Sequence, residues 1–193
     1  MSTYRLAKEI ITRVFPHERL VPQSVASWHG EFPLPDEVAR YYEELGPEDV
    51  TIEGYGNPYF LPSLARLWEV QAGYRFHPNT KERFAEWSDD WLVIAYEGGD
   101  PYIYSRSSSI ILYALHGQGV WEPDELFSSL EGMVTTFAII GDVAVSAGDD
   151  LTDEESYLRE HYVEEAKQRI SLVLGSRSEA ELVLDSLGWV GRS

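Results

Sequence analysis

The sequence predicts an α+β fold: a mainly antiparallel sheet with helices packed around it and an additional helical segment at its C-terminal end. Three observations carry this. Residues 87–121, WSDDWLVIAYEGGDPYIYSRSSSIILYALHGQGVW, consist almost wholly of strand and turn formers. Apolar residues recur at helical spacing on both sides of that stretch. Hydrophobic residues make up 44% of the chain and aromatic residues 13%, which in 193 residues is enough to bury a substantial core.

Taken in order, Ala7, Ile10, Ile11 and Val14 share one face, so residues 3–15 read as an amphipathic helix stopped by Pro16. Residues 16–33 hold Pro16, Pro22, Gly30 and Pro33 and read as a loop or arm. A helix over 35–45 has the clearest punctuation. Pro35 stands at its start, Asp36 and Glu37 in its first turn, and Gly46-Pro47 after its end, with Val38, Tyr41, Tyr42 and Leu45 on one face. Val50 to Glu53 alternates as a short edge strand, and Gly54 to Pro58 is a turn. Leu61, Leu64, Ala65 and Trp68 mark a helix capped by Gly73. Residues 74–86 are a polar excursion with little regular structure.

Trp91 to Tyr96 is an unbroken apolar run of the kind that suits a strand covered on both faces. Gly98, Gly99, Asp100 and Pro101 form the turn, Tyr102 to Ser105 the returning strand, and Ile110 to Leu115 a third strand beyond a serine-rich turn. Leu126, Leu130, Met133, Val134 and Phe137 define the next helix. The pattern of Ala138 to Val145 fits either its continuation or a further short strand. Thr152-x-x-Glu155 is a capping box opening a helix whose stripe is Leu158, Tyr162, Ala166, Ile170 and Val173 and whose end is Gly175. Ser178-x-x-Glu181 opens a last short helix. The expected organisation is one domain over 1–148 and a helical extension over 149–193 packed on it.

Composition excludes several classes. No run of about 18 apolar residues is present, so no transmembrane helix is expected. The first 15 residues interleave charges with apolar residues, unlike a secretory signal. The absence of cysteine rules out disulfides, thiolate nucleophiles and cysteine zinc sites, and agrees with a cytoplasmic location. The net charge is −18. Each of the stretches 31–69, 70–148 and 149–193 carries more than twice as many acids as bases, so the acidity is spread and is not a tail. Such a chain is repelled by nucleic acid and anionic lipid and steered toward a basic protein.

No catalytic or cofactor motif emerges. His116 lies in HGQG at a strand end, and His17, His29, His77 and His161 are scattered, so neither a metal site nor a triad has the right spacing. Gly54-x-Gly56 and Gly117-x-Gly119 lack the third glycine of a dinucleotide site, and the acids at 149–155 do not match a calcium loop. Asp89 and Asp90 are the best carboxylate pair, yet neighbours on an extended segment point oppositely. No cofactor, no metal and no catalytic residue is therefore expected. Exposed aromatics beside acids suit a surface facing arginine or lysine. The candidate partner contacts are Asp89, Asp90, Asp100, Tyr102, Trp121 and Glu122. Trp91, Tyr96 and Trp68 are expected in the core, with Trp121 nearer the surface.

The order of tryptophan, acidic pair, apolar strand, GGDPY, further strand and HGQGVW resembles the SUKH superfamily, the family of the yeast cell-wall-synthesis regulator and many bacterial immunity proteins. Leu34-Pro35-Asp36 before an aromatic-rich helix, and LFSSLEGMVTTF at Leu126 to Phe137, resemble that family's helices. The resemblance covers about residues 32–140. It implies a SUKH fold and a cytoplasmic immunity protein that neutralises a cognate toxin, a nuclease or deaminase, by protein–protein binding, as a monomer or homodimer. Two alternatives stand: a regulatory or scaffolding module binding a cellular protein, and a small hydrolase with its site near His116.

Overall fold

Six strands pair in sequence order into one antiparallel sheet: β1 (Val50–Ile52), β2 (Tyr59–Leu61), β3 (Trp91–Glu97), β4 (Asp100–Ser105), β5 (Ile111–Tyr113) and β6 (Asp124–Phe127). The computed structural model describes residues 3–191; positions 1–2 and 192–193 of the two expected segments lie outside the described residues. Among the described residues five α-helices complete the α+β fold: α1 (Arg5–Val14), α2 (Asp36–Glu44), α3 (Leu130–Ala147), α4 (Glu160–Leu174) and α5 (Arg177–Ser186).

Helix α3 is the organising element. Ser129 caps it by accepting from the Gly132 N–H, and 14 of its 18 residues are buried. Phe137 stacks on Tyr59 at 4.2 Å and meets Tyr102 edge-on at 4.8 Å, which fastens the helix to the sheet. Helices α1 and α4 pack on α3, and α5 packs on α4 and touches β6. Both ends of the chain thus contribute to a single hydrophobic core. Such burial all round explains why α3 shows no periodicity that could fix its end, and it continues through Ala147. By length and composition the segment Leu130–Asp150 could cross a membrane, contrary to the expectation drawn from run length. In this fold 78% of its most apolar 18-residue window is buried inside the protein.

The hairpin β3–β4 is covered on both faces, as its apolar run requires. Leu92, Ile94, Ala95, Tyr102 and Tyr104 belong to the main core, whereas Val93 and Ile103 join Trp87 in a second cluster on the opposite face. A bulge between Val93 and Ala95 lets Ile94 and Ala95 both face the main core. Gly98 and Gly99 make the two-residue turn with φ of 52° and 107°; Asp100 and Pro101 already belong to β4.

Strand β2 ends at Leu61, short of Val93, and side chains finish its work on the β3 edge. Gln71 accepts from the Val93 N–H at 3.0 Å and donates to the Val93 and Leu67 carbonyls at 2.9 and 2.8 Å. Arg75, almost fully buried, donates to the carbonyls of Trp91 and Asp89. An excursion that reads as irregular is therefore tied down by a substitute for a strand.

Several local expectations are corrected. Leu61 lies in β2, and residues 62–68 form turns ahead of a short 3-10 turn at Glu69–Gln71, so the helix expected through Leu61 and Trp68 is absent. Leu126 lies in β6, and the helix begins at Leu130. The Thr152-x-x-Glu155 box opens no helix. Asp153 turns the chain locally by accepting from the Glu155 and Tyr157 N–H groups, and α4 starts at Glu160. Ser176, not Ser178, caps α5, accepting from the Glu179 N–H. Trp91, Tyr96 and Trp68 are only partly buried; the fully enclosed tryptophans are Trp87 and Trp189.

Candidate partner-binding site

The fold places Asp89 and Asp90 at one end of the β3–β4 hairpin and Asp100 and Tyr102 toward the other, separated by the length of a seven-residue strand, roughly 20 Å. Asp89 and Asp90 precede β3. Asp89 is exposed but paired with Arg83 and with Arg75. Asp90 accepts from the Ser105 hydroxyl at 2.6 Å and thereby closes the serine-rich turn. The two point to different partners, as expected of neighbours on an extended segment.

At the far end Asp100 is a structural anchor. One of its oxygens receives the backbone N–H of His116 at 2.6 Å and lies 2.6 Å from His116 Nδ1. The Tyr113 hydroxyl donates its one proton to Glu97 at 3.1 Å and lies 3.5 Å from the other Asp100 oxygen. Burial raises the Glu97 carboxyl above its ordinary value, against the pull of these tyrosine hydrogen bonds. A chain His116–Asp100–Tyr113–Glu97 therefore pins the HGQG loop to the hairpin. The sequence reading found no carboxylate near His116; the fold supplies Asp100 from 16 residues away. Among the described residues no group of three or more His, Asp or Glu is placed to hold a metal ion.

Tyr102 is a correction. Its side chain is fully buried between Tyr59, Tyr113 and Phe137, because β4 turns it into the main core, so it is no surface contact. Trp121 is half-buried, packing against Trp87 and Tyr74 in the second cluster. Of the six, only Glu122 is exposed and, among the described residues, free of an ion pair.

Glu122 stands at a groove of about 500 Å³ that the sequence reading missed. Tyr113 and Ala114 from the end of β5, Leu115, Gln118 and Val120 from the HGQG loop, and Asp124, Glu125 and Leu126 from β6 line it. Leu115 and Val120 are more than half exposed. Among the described residues Glu122, Asp124 and Glu125 are exposed and enter no ion pair; other surface acids share that property, but these three line one groove beside Leu115 and Val120. Three uncompensated carboxylates beside aliphatic surface form a place where a cation gains without displacing an internal partner. The WEPDE run carries this signal in the sequence, but it reads as a loop until β6 aligns its acids along a sheet edge. Acids on a short, bulged edge strand also discourage strand addition, so this edge favours side-chain contact.

Comparison of the chain with protein-family models, with curated proteins and with solved structures finds no match in any of the three.

Proposed function

We propose that this chain is a non-enzymatic binding protein of SUKH type, acting in the cytoplasm as an immunity protein that neutralises a basic toxin of nuclease or deaminase class. The supporting observation is the groove whose three unpaired carboxylates, Glu122, Asp124 and Glu125, adjoin the exposed Leu115 and Val120. A net charge of −18 accelerates encounter with a basic surface. The aliphatic rim and the half-buried Trp121 then provide desolvated contact, which sets the dissociation rate. Anchoring of the HGQG loop by Asp100 fixes the groove in advance, which lowers the ordering cost of binding.

The test is a pull-down with tagged protein at low and high salt, paired with the triple variant Glu122→Lys, Asp124→Lys, Glu125→Lys. A basic protein that is retained at low salt and lost both at high salt and by the variant supports the reading. Equal retention by the variant refutes the groove as the interface. Retention of ordinary cellular proteins alone transfers weight to a regulatory module.

A further inference from the structure

Of the four basic residues between 70 and 148, Arg75, Arg83 and Arg106 gather around Asp89 and Lys81 lies beside Phe76. The three arginines are engaged: each bonds Asp89 or its carbonyl, Arg75 and Arg106 lie over the Phe32 ring, and Arg75 also lies 5.8 Å from the centre of the Trp68 ring. Lys81 is different. Among the described residues its ammonium enters no ion pair, and it sits 5.5 Å from the centre of the Phe76 ring. Its backbone holds φ of 61°, a conformation a long side chain rarely adopts.

Beneath that ammonium is a cleft of about 510 Å³ lined by Trp68, Phe76, Glu31, Glu69 and Lys81. The rings of Trp68 and Phe76 stand 5.8 Å apart at 46°, two aromatic surfaces meeting at an angle. Phe32 braces Trp68 edge-on from behind at 5.6 Å. Glu31 and Glu69 are exposed at the rim and, among the described residues, enter no close ion pair, although Glu31 acts on the Arg75 charge through space. Angled aromatic faces with unpaired carboxylates are the chemistry that takes up an organic cation: the ring quadrupoles attract the charge while apolar surface accepts its alkyl groups. The cleft exceeds what one lysine ammonium fills, so the chain's own Lys81 is a partial occupant.

We propose that this cleft is a binding site for an alkylammonium group, a methylated amine or a lysine side chain, with Lys81 as a tethered competitor. It shares no residue with the acidic groove and stands or falls separately from the proposed function.

The experiment is a titration of the full chain with tetramethylammonium chloride, followed by the indole N–H signals of the six tryptophans in a two-dimensional proton–nitrogen spectrum. Sodium chloride serves as the ionic control. The Trp68 signal is assigned by its loss in Trp68→Phe, which keeps a ring in place. A saturable shift confined to that signal is expected, with a dissociation constant on the order of 1–10 mM, the range of a few cation–π and carboxylate contacts. Lys81→Gly, which relieves the strained backbone and removes the competitor, tightens binding. Glu31→Gln with Glu69→Gln, both at exposed positions, weakens it about fivefold while thermal unfolding of the variant checks that the fold is kept. Titrating capped trimethyllysine separates the sources: binding at least tenfold tighter than the free ion assigns the site to a protein side chain, and equal binding assigns it to a free amine. A shift matched by sodium chloride, or unchanged affinity in Lys81→Gly, overturns the proposal.

Discussion

Replacing Asp142 by asparagine tests how α3 is locked to the helices from both ends of the chain. The Asp142 carboxylate lies on α3, is 7% exposed, and receives Arg13 of α1 at 2.9 Å and Arg169 of α4 at 2.5 Å on one oxygen. Asparagine keeps the shape but loses the charge and turns both hydrogen bonds into neutral-acceptor bonds. A hydrogen bond to a charged group contributes about 1.5–3 kcal/mol. Arg13 is mostly exposed and its share is screened, so the loss is about 2–3 kcal/mol in total. In a domain of this size that lowers the melting temperature by roughly 4–12 °C. Burial alone would raise the Asp142 carboxyl, but the hydrogen bonds from Arg13 and Arg169 outweigh it and hold it below the ordinary value. The folded state therefore binds the proton more weakly than the unfolded state, whose value is about 3.9. The stabilisation is complete above that value and is lost as pH falls through the lower folded one. Urea unfolding of both proteins should show the full difference at pH 7 and a shrinking one below about pH 4. A difference below about 0.5 kcal/mol at pH 7, or one that does not shrink in acid, refutes the clamp.

Gly141→Ala should destabilise by about 1–2 kcal/mol in thermal unfolding, because its Cβ meets Ile52 Cγ2 at 2.6 Å and Phe15 Cζ at 2.7 Å, a clash larger than alanine's helical advantage. Gln71→Leu should cost about 2–4 kcal/mol by urea unfolding and speed hydrogen exchange at Val93, since both edge groups of Val93 lose their partner. Glu97→Gln should stabilise at pH 7 and not at pH 3. Burial raises this carboxyl in the folded state, so the wild type loses stability as pH rises through the unfolded value of about 4.3 toward the folded one, and glutamine still accepts from Tyr113. Equal stability of the two proteins at both pH values would refute the burial argument.

What the sequence revealed follows from how far apart the cooperating residues are. Helix α2 was legible because its signals are local: Pro35, Asp36 and Glu37 at one end and Gly46 at the other. The β3–β4 hairpin was legible for the same reason, through its apolar run and paired glycines. Strands β2 and β6 were not, because three or four residues of edge pairing leave little alternation, and Leu61, Leu64 and Trp68 fall at helical spacing by coincidence. Thr152 and Glu155 matched a capping box, but Asp153 forms the tighter local turn. The site was half legible. Glu122 falls at the proposed groove, whereas the commitments of Asp90 to Ser105 and of Asp100 to His116 join positions 15 and 16 residues apart that only the sheet brings together. Tyr102 was misplaced because a tyrosine beside a turn reads as surface until the register of β4 turns it inward.

The enclosure of α3 has a bearing on how the protein is made. The most water-averse helix of the chain is covered on one side by α1, synthesised long before it, and on another by α4, synthesised after it. At about 5–20 residues per second, the ribosome needs roughly 1–5 s to pass from Ala147 to Leu174. During that interval a helix hydrophobic enough to enter a bilayer waits with its α4-facing side bare. The nascent chain is then at its greatest risk of clumping or of being shielded by a chaperone, and the C-terminal helices end that exposure when they dock.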